Sequence, residues 1–219
     1  MYITPFFPPQ RGIHGWLIFF SLCDIINWLF IRLTAYLPGE KSSPAGRQAF
    51  IGRVFVRILG IDPGYATIGF GVLDFDGREF KVVGFGAITT PAGAEFDSRL
   101  QMIYLDMLMI LEKHKPDAMS LEKLYFNTNH TTAIDVAQAR GVILLSARQS
   151  QVPIFEYTPL QVKNSVVGYG RAEKKQVQEM TRSILRLKEV PRPDDTADAL
   201  ALAITHGHCA HGLNLQGML

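Results

Sequence analysis

The sequence predicts an α/β fold: a mixed central β-sheet flanked by helices. Three observations carry that prediction. Short apolar runs bounded by turn residues recur between residues 57 and 158. The first three of them follow one another directly, as hairpin-connected strands do. The later ones alternate with amphipathic stretches of helical period, as crossover-connected strands do. Sequential strands followed by alternation give a sheet with both antiparallel and parallel pairs.

The elements can be justified in order. "RILGI" (57–61) reads as a buried strand and "IGFGVLD" (68–74) as a second. Asp76–Gly77 is a hairpin turn signal, and "FKVVGFGAIT" (80–89) is the returning strand. Leu100, Ile103, Tyr104, Met107, Leu108 and Leu111 then recur with helical spacing, with Asp97 or Ser98 as the expected cap. "DAMSLE" (117–122) is a short strand ending in Glu122, and "TTAIDVAQARGVILLSARQS" (131–150) is a helix that tolerates Gly141. "PIFEYT" (153–158) is the last strand. "PLQVKNSVVG" (159–168), "AEKKQVQEMTRSILRL" (172–187) and "DDTADALALAITHGHCA" (194–210) are helical by pattern.

Composition narrows the class. The 219 residues suffice for one domain with a sizeable core, and 47% hydrophobic against 19% charged residues excludes a largely disordered chain. Cys23 and Cys209 are far apart and form no CxxC, so neither a disulfide framework nor a zinc ribbon is readable. That usage fits a reducing compartment, and a cytoplasmic protein with no stable membrane partner is expected.

Residues 1–56 do not match the rest. The apolar run from Trp16 to Ile31 is sixteen residues long and contains Asp24 and Asn27. A spanning helix needs about 20 apolar residues, and a central Asp costs about 2.5–3.5 kcal/mol on insertion scales. No A-x-A-like cleavage site follows promptly. "YLPGEKSSPAGRQ" (36–48) then reads as a linker. Three readings compete: an amphipathic or anchor helix, a partner-binding arm, or a segment outside the mature protein, whose translation would start near Val56. The third is favoured. The chain is therefore divided into an N-terminal extension (1–56), a main domain (57–211) and a short tail (212–219).

A formal net charge of +2 hides an uneven distribution, +3 over residues 1–56 and −1 over the remainder. Between Lys163 and Arg192, however, eight basic residues outnumber three acidic ones. Such a segment suits a surface that tracks phosphates, although a solvated helix face would look the same.

Four carboxylates give the chemistry. Asp62 and Glu122 each end a strand, and functional groups in α/β sheets gather where strands end. Asp195 and Asp198 are spaced i, i+3 near the start of the final helix, so they share a face, and the positive helix N-terminus favours their ionised forms. Ala197, Ala199, Ala201 and Ala203 would let that helix lie close to the sheet. Each residue has a plainer reading alone: Asp62 as a turn residue before Pro63–Gly64, Glu122 as a surface charge beside Lys123, Asp194 and Asp195 as N-caps. Asp194 is read as the cap and Asp195 as the inward ligand. Together the four would raise one another's pKa unless a cation joins them. Magnesium, which prefers oxygen ligands, resolves this, and two metals can activate water and stabilise the leaving oxygen of a phosphodiester.

With these residues in view, the chain from about Arg57 to His208 resembles the RuvC family of Holliday junction resolvases, nucleases with an RNase H-like fold. "ILGIDPG", "LEKLYF", "AQARGV", "FEYTPLQVKNSVVGYGRAEKKQVQ" and "DDTADALALAITH" carry the resemblance, in order. It implies Asp62, Glu122, Asp195 and Asp198 as catalytic metal ligands, and Mg²⁺ as cofactor, two ions per site, with Mn²⁺ able to substitute. It implies Lys163 and Lys174 as DNA-binding lysines, with Arg171 and Lys175 beside them in the basic segment, and Tyr125, with Phe126 adjacent, as an aromatic wedge at the crossover. It further implies a homodimer that nicks opposing strands of a four-way junction symmetrically during recombination and repair, and that works with the RuvA–RuvB branch-migration complex.

Two rival functions were weighed. "DPGYATIGFGV" (62–72) also resembles the first phosphate loop of actin- and Hsp70-like ATPases, but about 160 residues are too few for two related halves. A non-catalytic DNA-binding module need not keep four carboxylates. A zinc site in "HGHCAH" (His206, His208, Cys209, His211) fails on spacing, and His130 reads as a surface loop residue.

Overall fold

The computed structural model describes residues 55–123 and 130–216. Five strands and five helices follow in the order β1 (Val56–Asp62), β2 (Thr67–Phe75), β3 (Phe80–Thr89), α1 (Phe96–His114), β4 (Ala118–Glu122), α2 (His130–Gln149), β5 (Ile154–Tyr157), α3 (Pro159–Val167), α4 (Lys174–Ile184) and α5 (Asp194–Gln216). The sheet order is β3-β2-β1-β4-β5. β1, β2 and β3 pair antiparallel, and β4 joins β1, and β5 joins β4, in parallel.

Strand periodicity sorts the core into two layers. Leu59 and Ile61 face a cluster built with Ile103, Met107 and Leu111 of α1 and Ala139, Ile143 and Ala147 of α2. Ile58 faces the opposite cluster, with Val162 of α3, Val177 of α4 and Leu200 and Ile204 of α5. Alternation therefore puts Ile58, Gly60 and Asp62 on one face of β1. On β4, Met119 and Leu121 pack toward α1 and α2, while Ser120 donates a 2.7 Å hydrogen bond to the Leu202 carbonyl of α5. Glu122 thus shares the α5 face with Asp62.

α5 lies on the sheet with almost no gap. A Cβ on Gly60 would collide with the Ala199 carbonyl, and one on Gly69 with the Asp195 carbonyl. Ala197, Ala199, Ala201 and Ala203 are all buried, as the small-residue pattern predicts. Gly69 is the register partner of Asp62, so this close approach brings the N-terminus of α5 to the end of β1.

Several local expectations are corrected. α1 starts earlier than Asp97 or Ser98, after Glu95, and the Asp97 carboxylate accepts from the Ser98 backbone N–H within the first turn. α4 is shorter than 172–187: Glu173 and Gln176 form a capping box at its start, and Leu185 ends it before Arg186 at φ 53°. α5 runs to Gln216, into the segment set apart as a tail. Among the described residues, no helix is long and apolar enough to cross a membrane.

Candidate active site

The site begins with two carboxylates on neighbouring parallel strands. Ile61 is in register with Leu121, which sets Asp62 beside Glu122, and their side chains share a hydrogen bond. Asp198 and Asp195 approach from α5 closely enough for each to disfavour ionisation of Asp62. Asp62, Glu122 and Asp198 line one cleft with Lys163 and Lys174, over a floor of Pro159, Val162, Val177, Ala201 and Leu202. Its volume of about 200 Å³ is smaller than that of sites that enclose whole organic ligands, about 300–1,000 Å³. Asp195 stands at the edge of this group and does not line the cleft.

The electrostatics follow from burial. Desolvation, then the charges of Glu122, Asp198 and Asp195, push Asp62 up to about 8. Glu122 is raised by burial and by Asp198, against the Asp62 hydrogen bond and Lys174. Lys174 Nζ sits 2.8 Å from Asp198 and 3.9 Å from Asp194. The pair is lopsided. Burial opposes the ammonium, but Asp198, Asp194 and Asp62 outweigh it and the Lys174 pKa rises. Asp198 is nevertheless also raised, because burial outweighs the favourable Lys174 contact and Asp195 and Asp194 add repulsion. One ammonium is too little charge for so many carboxylates.

The donor set suits a hard divalent cation: carboxylate oxygens only, on two strand ends and one helix, in mutual repulsion that a cation relieves. Among the described residues no group of three or more acidic, His or Cys side chains is already placed to hold a metal ion. Lys174 Nζ is instead paired with Asp198.

The other sequence-selected residues fall as follows. Lys163 lines the cleft from α3, Lys175 is exposed in the first turn of α4, and Arg171 is exposed in the connection before it. Asp194, expected as a cap, accepts a 2.7 Å bond from Arg192. Tyr125 and Phe126 lie outside the described residues. His206 packs in the core, its Nδ1 2.8 Å from the Tyr157 hydroxyl and its ring tilted against Phe155.

One group escaped the sequence reading. Arg99, nearly fully buried, donates from Nε to Thr90 Oγ1 at 2.8 Å and lies 4.3 Å over the Tyr65 ring. Thr90 in turn donates to the Tyr65 carbonyl and the Ala66 carbonyl. The turn that follows Asp62 is thereby tied to α1. The available signal was helical phase: Arg99 occupies the buried stripe with Ile103, Met107 and Leu111. Arg99→Met should leave the Thr90 hydroxyl and Tyr65 carbonyl short of a donor and lower stability by about 1–3 kcal/mol, read by urea denaturation; an unchanged midpoint would show that the tie is not needed.

Comparison with known proteins follows the same lines. The family model described as crossover junction endodeoxyribonuclease RuvC matches residues 58–206. The crossover junction endodeoxyribonuclease RuvC of Brevibacillus brevis is 59% identical over 151 residues, 69% of this chain and 91% of the relative. The structure of Thermus thermophilus RuvC superposes with a TM-score of 0.68 at 34% identity, covering 72% of this chain and 96% of that one. The same enzyme solved in complex with Holliday junction substrate gives 0.66 at 32% identity, with the same coverage. The mixed five-stranded sheet flanked by helices is accordingly an RNase H-like fold. With the family model matching residues 58–206 and a relative 59% identical over 151 residues, the chain is a member of the crossover junction endodeoxyribonuclease RuvC family.

Proposed function

We infer that this endodeoxyribonuclease resolves Holliday junctions in recombination and repair by metal-dependent hydrolysis of opposed phosphodiesters. The observation that carries the inference is the adjacency of Asp62 and Glu122 on parallel strands, completed by Asp195 and Asp198 from α5. These four residues would hold Mg²⁺, with Mn²⁺ as a substitute. When bound, the metal supplies Lewis acidity toward the phosphoryl oxygens and lowers the pKa of water. Burial of the carboxylates keeps competing solvent from the cleft floor, and the helix N-terminus adds positive potential. Lys174 leaves Asp198 for a DNA phosphate as the carboxylates are neutralised. Lys163, in the same cleft, meets the same strand, and Arg171 and Lys175 extend the basic track outward.

The substrate reading is supported by the junction-bound Thermus thermophilus relative. A four-way junction is a shape, so phosphate contacts and deformability can select it. A twofold dimer would present two clefts to two opposed strands. We place the Tyr125–Phe126 wedge at the crossover, the RuvA–RuvB complex as the partner in branch migration, and the work in the cytoplasm. The family match from residue 58 to 206 supports treating 57–211 as the nuclease domain and residues 1–56 as separate from it.

Metal binding gives a direct check. With Asp62 at about 8, a proton remains on the cluster at neutral pH. Mg²⁺ must displace it. Titration calorimetry in buffers of different ionisation enthalpy should show proton release at pH 7 that shrinks above pH 8, with affinity rising over that interval. Affinity independent of pH would contradict the ligand assignment. Lys163→Ala should weaken junction binding and lower the slope of log K against log salt by about 0.7–0.9, one phosphate contact; an unchanged slope would remove Lys163 from the interface.

A further inference from the structure

The segment between α3 and α4, "GYGRAEKK" (168–175), carries an aromatic residue that the metal and phosphate chemistry leaves unused. Tyr169 is 47% exposed although it is large and flanked by glycines, and Leu160, in the first turn of α3, is 58% exposed. The first glycine is demanded by the geometry and the second marks a close approach. Gly168 closes α3 at φ 91°, its N–H on the Asn164 carbonyl. Gly170 lies so close to Leu160 that a Cβ there would overlap Leu160 Cδ1. The chain therefore folds back at once, and the backbone next to Tyr169 lies against Leu160 in the first turn of α3. That turn contributes Pro159 to the carboxylate cleft, and the next contributes Lys163.

The surroundings say what the ring meets. Arg171 is exposed two residues on, Lys175 is exposed in the following turn, and Lys163 and Lys174 stand in the cleft. Tyr169 precedes Lys174 by five residues, and five residues span at most about 17 Å. Tyr169 therefore lies within about five rises of one DNA strand, at 3.4 Å each, of Lys174. A strand with a phosphate at the carboxylates and its backbone along these basic residues comes within reach of Tyr169. An exposed aromatic in a cationic track is the arrangement on which unpaired bases stack.

We propose that Tyr169 is a stacking platform for a base of the cleaved strand close to the scissile phosphate, and so a positioning and sequence-preference residue of this nuclease. The occupant is an unpaired or unstacked nucleobase of junction DNA. The inference rests on the nuclease reading above. A ring that stacks on a base discriminates by stacking strength, so it favours some bases at that position without hydrogen-bond readout.

The test uses the full chain, four-way junctions carrying 2-aminopurine at successive positions around the cut, and the variants Tyr169→Ala and Tyr169→Trp. In Ca²⁺, which permits binding without turnover, the parent should change 2-aminopurine fluorescence at one or two positions. Tyr169→Trp should keep that change and Tyr169→Ala should lose it. Junction affinity should fall about 5- to 100-fold in Tyr169→Ala, with the salt slope unchanged, because no phosphate contact is removed. In Mg²⁺, the spread of cleavage rates across junctions that vary only at the sensitive base should narrow in Tyr169→Ala and persist in Tyr169→Trp. Parent-like fluorescence, affinity and base preference in Tyr169→Ala, with the parent cutting junctions normally, would overturn the platform and leave the nuclease reading standing. A Tyr169-dependent fluorescence change in a parent that does not cut would support the platform and overturn the nuclease reading.

Discussion

Asp62→Asn is expected to abolish junction cleavage, by at least about a thousandfold, the scale of several kcal/mol of lost transition-state stabilisation, while junction binding persists. The same substitution should stabilise the metal-free protein. Asp62 is held at about 8 against an ordinary 3.8, so the folded state binds a proton that the unfolded state has already released between those values. Its contribution to stability is fully present below about pH 4 and is lost as pH rises through 8. The amide keeps a donor toward Glu122 and has no charge to bury. Its melting temperature should rise at pH 7.5 by about 2–4 °C for each kcal/mol recovered, and the stabilisation should vanish near pH 4. Glu122→Gln and Asp198→Asn should abolish cutting equally, but Asp198→Asn also strips Lys174 of its 2.8 Å partner and should gain less stability. Cleavage that survives any one of the three would remove that residue from the catalytic set.

Gly69→Ala is the second large effect. The added methyl would occupy the position of the Asp195 carbonyl, which is backbone and cannot rotate aside. Overpacking of this kind costs about 1–3 kcal/mol or more, and at about 2–4 °C per kcal/mol the melting temperature should fall accordingly. The displacement should also lift the first turn of α5, and Asp195 and Asp198 with it, away from Asp62. Activity should fall further than the folded fraction does, and Mg²⁺ affinity should fall with it. Gly141→Ala is the internal control, since a Cβ there meets nothing within 4 Å and a helical Gly-to-Ala change should stabilise by about 0.5–1 kcal/mol. A Gly69→Ala protein that retains parental stability and cleavage would show that the close approach of α5 does not position the carboxylates.

The architecture was legible because its signals are short-ranged. Period-two alternation through "ILGID" fixes which face Asp62 takes, and the run of alanines after Asp195 announces a helix that lies close to a surface. The resemblance supplied the joint meaning of four scattered carboxylates; none of them speaks alone. What stayed illegible depends on side-chain geometry. Nothing in the sequence shows that Lys174, expected to hold DNA, pairs with Asp198, or that Asp195 stops short of the cleft wall. Arg99 was passed over because a cation in an apolar stripe is read as a surface residue, yet Thr90 and the Tyr65 ring give it a buried seat. Tyr169 has no periodicity to mark it; its exposure and the close approach of its neighbour Gly170 to Leu160 are visible only in the structure.

The central claim, a metal-dependent nuclease selective for four-way junctions, is tested most directly by incubating the full chain with a synthetic four-way junction and with linear duplex of the same sequence, in Mg²⁺ and then in EDTA. The account predicts paired nicks on opposed strands of the junction in Mg²⁺, no cutting of the duplex, and no cutting of either in EDTA with junction binding retained. Equal cutting of junction and duplex, or cleavage that continues in EDTA, would contradict it.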